Sequence, residues 1–131
     1  MRTTTEGSCL CGAVTYEAVG ALRPVWACHC TQCRKTSGHH VAATQCLSRD
    51  LTIRGDALKW FRSSETAERG FCGLCGSNLF WRPISADRVS ILAGTINGPT
   101  GLSIIRQIHV EDAGDYYDVQ CLALTGSAKT S

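Results

Sequence analysis

The spacing of the cysteines constrains this chain more than any other feature of its sequence. Seven of the nine cysteines among the 131 residues fall in three tight groups: Cys9-Leu-Cys11, Cys28-His-Cys30-Thr-Gln-Cys33 and Cys72-Gly-Leu-Cys75. Disulfide frameworks usually spread cysteines along a chain to join distant segments, whereas one metal ion needs several sulfurs at about 2.3 Å. An odd total also leaves one cysteine over in a fully disulfide-bonded chain. The pattern therefore favours metal binding.

Two of the groups have the form of two-sulfur clips. Cys9-Leu-Cys11 is followed by Gly12, and Cys72-Gly-Leu-Cys75 is followed by Gly76. Glycine tolerates positive φ, so each clip can close in a tight turn. Two clips together complete a four-sulfur site, which is the closed, structural kind. Tetrahedral thiolate coordination suits zinc or an iron–sulfur cluster.

The third group supplies three sulfurs by itself. No fourth cysteine lies close in sequence to Cys28, Cys30 and Cys33. Three protein ligands leave a fourth position for water or substrate, so this group predicts an open site. The two remaining cysteines, Cys46 and Cys121, lie in apolar stretches and are interpreted as small buried hydrophobic residues.

The histidines near these groups leave alternatives open. His29 lies between two predicted ligands and is either a hydrogen-bond donor behind them or a turn residue. His39 and His40 follow Gly38 and could complete the open site, but we favour placement on the surface or in the core.

Short alternating runs and the absence of a long amphipathic helix predict a mainly β fold of short antiparallel strands in one compact domain. That domain is expected to span residues 1–131, with its core over about 5–122. Strands are predicted over 13–19, 25–27, 40–47, 51–54, 58–62, 68–71, 78–81, 88–93, 106–110 and 116–122. One helical turn or loop is expected over 31–38, turns at 54–56 and 96–99, and Trp60, Phe61 and Trp81 in the core.

The charge balance restricts the partners. Thirteen basic and eleven acidic side chains give a formal net charge of +2, which is too small to predict nucleic acid or a membrane surface as the main partner. No apolar run approaches the roughly 18 residues of a membrane span. The first seven residues lack the apolar stretch of a signal peptide, so a cytoplasmic location is expected.

The ordered cysteine groups resemble the glutathione-dependent formaldehyde-activating enzyme family, which includes centromere protein V. The matching segments are Gly7-Ser-Cys9-Leu-Cys11-Gly12-Ala-Val14, Cys28-His-Cys30-Thr-Gln-Cys33-Arg-Lys-Thr-Ser-Gly38 and Phe71-Cys-Gly-Leu-Cys75-Gly76. Ile108-His-Val110 and Asp115-Tyr-Tyr117 are similar to the C-terminal histidine and aromatic region of the family. The resemblance spans about residues 5–120 and implies a compact β-rich zinc fold, related to that of an accessory factor for Rab GTPases.

The resemblance also implies two zinc ions and an activity. A structural zinc is assigned to Cys9, Cys11, Cys72 and Cys75, and a second zinc to Cys28, Cys30 and Cys33, with its degree of occupancy left open. The activity of the family is condensation of glutathione with formaldehyde to S-hydroxymethylglutathione, a carbon–sulfur lyase reaction in reverse. The partners are thus a small thiol and a small aldehyde, and Cys28, Cys30 and Cys33 are the catalytic group.

Three further residues receive roles through the resemblance. Arg34 and Lys35 follow the third ligand and are assigned to the carboxylates of a glutathione-like cosubstrate, with solvated surface charge as the alternative. His109 is a candidate for proton transfer, with a structural role as the alternative. His39 and His40 depart from the family pattern, which has small or apolar residues there.

The cysteine groups are also compatible with other functions. The chain could be a non-catalytic zinc-stabilised module that binds a protein, a carrier of an iron–sulfur cluster, or a zinc store or thiol sensor. The identity of the aldehyde and the thiol, the oligomeric state and the roles of His29, His39, His40 and His109 stay open.

Overall fold

The structure is a computed structural model, and it describes residues 3–119. It is mainly β, with 45% strand and 15% helix, which confirms the predicted fold class. The described residues form two compact units, one from 3–23 and 44–100 and the other from 24–43 and 101–119. A single domain over residues 1–131 stays a prediction. In the part of the chain that the structure describes, no helix is long and apolar enough to cross a membrane.

The first unit contains most of the strands. They are β1 (Thr4–Ser8), β2 (Thr15–Val19), β5 (Leu51–Arg54), β6 (Leu58–Arg62), β7 (Ala67–Cys72), β8 (Asn78–Pro83) and β9 (Arg88–Leu92). Short 3₁₀ turns lie directly before β5, at Ser48–Asp50, and directly after β9, at Ala93–Thr95. The second unit holds β3 (Val25–Cys28), α1 (Thr31–Ser37), β10 (Ile104–Ile108) and a 3₁₀ turn at Val110–Asp112. Strand β4 (Val41–Leu47) contributes residues to both units.

The first unit is built from antiparallel pairs. β1, β2 and β5 form one sheet in that order. β6, β7, β8 and β9 pair in sequence order, each with the next, and β9 is followed by β4. These meander connections are short, as the turn residues between the predicted strands indicated.

The second unit departs from the antiparallel prediction at one pair. β4 pairs with β3 antiparallel, but β10 pairs with β3 parallel, and Ile108 is the partner of Cys28. Parallel strands end at the same edge of a sheet. The parallel pair therefore brings the residues after Ile108 to the loop that carries the second cysteine group.

The core of the first unit combines one alternating strand, β2, with strands that bury consecutive residues, β8 and β9. Its fully buried side chains include Val14, Tyr16, Leu79, Phe80 and Ile91. The rings of Tyr16 and Phe80 pack edge to face with centroids 5.2 Å apart, a favoured aromatic geometry. Such burial supplies the main driving force for folding this unit.

Most predicted strands are present, with three differences. β1 was not predicted, because its sequence, Thr-Thr-Glu-Gly-Ser, contains no apolar residue. The strand predicted over 106–110 lies at Ile104–Ile108. The strand predicted over 116–122 is wrong for its described part, since 116–119 form no strand, and 120–122 lie outside the described residues. Phe61 is also not in the core, because it is 59% exposed on β6, the last strand of its sheet.

Gly7 is required by close packing, and its replacement gives a testable result. A Cβ at this position would overlap the buried ring of Tyr16 and lie 2.5 Å from the Thr95 carbonyl oxygen. We expect Gly7→Ala to lower the free energy of unfolding by about 2 kcal/mol, since overpacking typically costs 1–3 kcal/mol. Urea denaturation measures this. The control is Gly94→Ala, where a Cβ meets no atom within 4 Å; equal losses in both variants would contradict the steric explanation.

Candidate functional site

The structure brings the four cysteines of the two clips together. The sulfurs of Cys9, Cys11, Cys72 and Cys75 all lie within 4.8 Å of one another. Cys11 Sγ is 3.7 Å from Cys9 Sγ and 3.8 Å from Cys72 Sγ. These separations are far beyond the roughly 2.05 Å of a disulfide, and all four are free thiols. We call this group the four-cysteine cluster.

The local backbone explains how the clips close. Gly12 and Gly76, the residues after each clip, have φ of 83° and 81°, in the left-handed region that favours glycine. The amide of Gly76 donates to the Cys72 carbonyl at 2.8 Å, which completes the turn after β7. The other clip follows β1, and the two lie in the same unit.

The dimensions of the four-cysteine cluster fit a tetrahedral metal. With metal–sulfur bonds of about 2.3 Å, the sulfurs of a tetrahedral site lie about 3.8 Å apart, which matches the two measured separations of 3.7 and 3.8 Å. Cys9 and Cys72 are buried, and four thiolates are a donor set that suits zinc. The residues present therefore fit a structural ion.

Main-chain and hydroxyl groups hold the sulfurs of this cluster in place. The amides of Leu74 and Cys75 both point at Cys72 Sγ, at 3.4 Å. Ser77 Oγ lies 3.2 Å from Cys75 Sγ and accepts from the Leu10 amide at 3.0 Å, so it contacts both clips. The hydrogen bonds from Ser77 lower the pKa of Cys75 to about 5. This environment favours the thiolate, which is the form that binds a metal.

The second group forms a separate cluster in the second unit. The sulfurs of Cys28, Cys30 and Cys33 lie within 4.8 Å of one another, and we call them the three-cysteine cluster. Cys28 ends β3, Cys33 lies in α1, and Cys30 is the N-cap of that helix. The amide of Cys33 donates to Cys30 Sγ at 3.3 Å. A strand end and a helix start thus supply all three sulfurs.

The three-cysteine cluster has the chemistry of an open site. Among residues 3–119, no fourth His, Cys, Asp or Glu joins these sulfurs within 4.8 Å. The hydrogen bond from the Cys33 thiol lowers the pKa of Cys28 to about 5, and the same pairing raises the pKa of Cys33. Cys28 is thus the thiolate of the pair near neutral pH. Three sulfurs fit an ion that keeps one position for an exchangeable ligand.

Strand alternation decides which way the residues of this loop face. Val25, Ala27 and His29 are buried, whereas Cys28 and Cys30 are half-buried. Alternate residues of an extended chain point to opposite sides, so His29 faces away from its neighbouring cysteines. The structure therefore assigns His29 to the interior and not to the sulfur cluster.

His39 and His40 do not belong to the three-cysteine cluster. Their rings lie 4.2 Å apart, centroid to centroid, and His39 Nδ1 is 3.1 Å from the hydroxyl of Tyr116. Burial, together with His39 and His29, lowers the pKa of His40 to about 4. His40 is therefore neutral at pH 7. The pair forms an aromatic group with Tyr116 beside the end of α1.

The structure places the other predicted residues as follows. Arg34 is half-buried, and its Nε donates to the Asp112 carbonyl at 3.0 Å; Lys35 is exposed. His109 is exposed and has a left-handed backbone, with φ of 56°. Its Nδ1 lies 3.9 Å from the Glu111 carboxylate. This contact holds the side chain of Arg34, the residue after Cys33 in α1, against the segment that follows β10.

The two remaining cysteines have different outcomes. Cys46 is a free, half-buried thiol outside both clusters, and burial raises its pKa to about 11. This agrees with its interpretation as a small apolar residue more than as a ligand. Cys121 lies outside the described residues.

Sequence reasoning missed two partners of His29. Both ring nitrogens of His29 are hydrogen-bonded, one to Tyr117 and the other to Gln107. These partners lie 88 and 78 residues away in sequence, so no local pattern indicates them. Residues 25–28 are all apolar, so the sequence shows no alternation that could have predicted the burial of His29.

Comparison with known proteins agrees with the geometry. The model of the glutathione-dependent formaldehyde-activating enzyme family matches residues 4–112. The chain is 27% identical over 114 residues to an uncharacterized lyase of Schizosaccharomyces pombe, covering 86% of this chain and 83% of that protein. A Rhodobacter sphaeroides protein of known crystal structure is 24% identical, with a TM-score of 0.64 over 78% of this chain and 98% of that one, and so shares the fold. The chain belongs to the glutathione-dependent formaldehyde-activating enzyme family.

Proposed function

We propose that this chain is a carbon–sulfur lyase-type enzyme that joins a glutathione-like thiol and a small aldehyde, and cleaves the adduct in reverse. Membership of an enzyme family favours this function over a non-catalytic protein-binding module. The observation that carries the proposal is the three-cysteine cluster, whose sulfurs gather within 4.8 Å with no fourth protein ligand among the described residues. A cluster of this kind suits a site that binds and releases a substrate thiol.

The two clusters are proposed to hold one zinc ion each. Cys9, Cys11, Cys72 and Cys75 would hold the structural ion, and Cys28, Cys30 and Cys33 would hold the second. A zinc ion supplies a positive charge that keeps a coordinated thiol deprotonated near neutral pH. Three cysteine thiolates more than balance the charge of Zn²⁺, which favours capture and release of a thiol over strong polarisation of a carbonyl.

The proposed reaction forms a carbon–sulfur bond and moves one proton. The sulfur of the thiol bonds to the carbonyl carbon of the aldehyde, and the thiol proton ends on the new hydroxyl group. His109 is exposed and follows β10, whose parallel pairing puts Ile108 beside Cys28. Imidazole is the side chain that most often moves protons in catalysis, so His109 is suited to take and return that proton. We propose it for this role.

Binding of the cosubstrate is proposed to rest on two basic residues. Arg34 follows Cys33 in α1, and its Nε donates to the Asp112 carbonyl. A guanidinium has further N–H groups that match a carboxylate. Lys35 is exposed next to it and adds a second positive charge. Together they suit the carboxylates of a glutathione-like tripeptide.

The proposed activity can be tested directly. Purified protein with its metal content measured is mixed with glutathione and formaldehyde, and formation of S-hydroxymethylglutathione is followed by NMR. We expect a rate above that of the spontaneous reaction, and a rate near the spontaneous one for Cys28→Ser. Cys46→Ser is the control, because Cys46 lies outside both clusters. Absence of acceleration at full metal occupancy would overturn the proposed reaction.

A further inference from the structure

His29 is a buried histidine whose two ring nitrogens are both in use. Its side chain is fully buried. Nδ1 is hydrogen-bonded to the hydroxyl of Tyr117, and Nε2 lies 2.6 Å from Gln107 Oε1. The rings of His29 and Tyr117 also stack, with centroids 5.5 Å apart and planes 24° from parallel. A buried polar atom that loses its hydrogen-bond partner destabilises the folded state. Both contacts therefore favour one orientation of the His29 ring.

The partners of His29 fix one hydrogen-bond direction. The side-chain carbonyl oxygen of Gln107 can only accept, so Nε2 of His29 donates to it. Nδ1 is hydrogen-bonded to the hydroxyl of Tyr117, a group that can donate or accept. Both ring nitrogens of His29 therefore have a partner.

Three segments of the second unit meet at this histidine. His29 lies in the loop of the three-cysteine cluster, Gln107 lies in β10, and Tyr117 lies in the segment that follows β10. The amide of His29 also donates to the Ile108 carbonyl at 3.0 Å. The residue between Cys28 and Cys30 is therefore fixed on its main chain and at both ends of its side chain.

The contacts of the neighbouring tyrosine are different. The hydroxyl of Tyr116 lies 3.1 Å from His39 Nδ1 and 3.3 Å from the Gly38 carbonyl, and both bonds are exposed to solvent. Exposed hydrogen bonds compete with water and contribute little net stability, whereas buried ones are expensive to break. The bond to Tyr117 is part-buried and ends on the fully buried ring of His29, so of the two tyrosine bonds it is the one that restrains the cysteine loop.

We propose that His29 is a positioning residue: with Tyr117 and Gln107 it holds the Cys28–Cys33 loop so that the three sulfurs are gathered before a metal or a thiol arrives. The inference rests on the proposed function only in taking these sulfurs as the reactive group. A gathered cluster has less conformational freedom to lose on binding. The bonds to His29 would therefore raise the affinity of Cys28, Cys30 and Cys33 for an ion, although His29 is not one of the clustered donors.

Removing one hydroxyl tests the proposal. Tyr117→Phe keeps the stacked ring but deletes the hydrogen bond to Nδ1 of His29. We expect amide hydrogen exchange over residues 28–33 to become at least about tenfold faster, and zinc affinity at the three-cysteine cluster to fall roughly 10- to 100-fold, as for other outer-shell contacts of metal sites. Competition with a chromogenic zinc chelator measures the affinity. The zinc affinity of the four-cysteine cluster should be unchanged.

Tyr116→Phe is the matched control, because it removes the same atom from the adjacent residue. Its exchange rates over 28–33 and its zinc affinity should stay within twofold of those of the unmodified protein. Gln107→Met provides a second variant that removes the partner of Nε2, and it should act in the same direction as Tyr117→Phe. The second variant keeps the test valid if Tyr117→Phe does not fold.

The outcomes separate this inference from the proposed function. Unchanged hydrogen exchange over 28–33 in both Tyr117→Phe and Gln107→Met would overturn the positioning role, whatever the activity of the protein. Equal effects of Tyr117→Phe and Tyr116→Phe would also overturn it. Faster exchange in the Tyr117 and Gln107 variants, in a protein that does not accelerate the glutathione reaction, would support the positioning role and remove only the proposed reaction.

Discussion

Replacing Cys72 by serine is expected to unfold the first unit or leave it severely destabilised. Cys72 is fully buried, and its sulfur is 3.8 Å from that of Cys11. A serine hydroxyl is a poor zinc ligand, so the variant should lose the ion proposed for this cluster and the contribution of that ion to folding. We expect the free energy of unfolding to fall by about 5 kcal/mol or more, which is comparable to the whole stability of a small domain. Thermal and urea denaturation with elemental analysis measure both effects.

The control for Cys72→Ser is Cys46→Ser, which makes the same change at a half-buried cysteine outside both clusters. Cys46→Ser should keep its metal content and lose about 1 kcal/mol, as many single substitutions do. A Cys72→Ser variant that retained full metal content and stability would show that the four-cysteine cluster does not hold a structural ion.

Replacing Cys30 by serine should remove metal and activity but leave the stability of the fold nearly unchanged. Cys30 is the N-cap of α1, and its sulfur accepts the amide of Cys33 at 3.3 Å. Serine is among the preferred N-cap residues, so the helix should keep its cap and the fold should stay intact. The protein should lose about one metal ion per chain, because a three-ligand site has no ligand to spare. The rate of adduct formation should fall close to the spontaneous rate.

The two variants together test the division into a closed and an open site. Metal content, circular dichroism and the glutathione assay are measured on Cys30→Ser and Cys72→Ser side by side. The division requires that Cys30→Ser stays folded with one ion, while Cys72→Ser unfolds or is severely destabilised. If both variants unfold, or both keep two ions, the assignment of structural and reactive clusters is wrong.

Local chemistry made much of the fold predictable. The strands at Leu51–Arg54 and Leu58–Arg62 have the predicted bounds, since both runs alternate and are separated by a turn at Gly55. β1 could not be predicted, because its strand form depends on pairing with β2, where Gly7 is the partner of Tyr16. Tertiary pairing overrides weak local propensity in such segments.

The sulfur clusters were predictable for a different reason. Each clip is a short sequence whose geometry is set by adjacent residues and a closing glycine, so spacing alone indicated which sulfurs would gather. The surroundings of the three-cysteine cluster were not predictable. His29 is held by Gln107, which lies in β10 beside β3, and by Tyr117, which follows β10 along the chain. A parallel pair joins residues far apart in sequence and leaves no local signal.

The separation of the two clips along the chain has a consequence for biosynthesis. Cys11 and Cys72 are 61 residues apart, and ribosomes add about 5–20 residues each second. Synthesis of the second clip therefore follows that of the first by roughly 3 to 12 seconds. During that interval a nascent chain presents two unpaired thiols that oxidants and soft metal ions can reach, so the reducing state of the compartment matters most before the polypeptide is finished.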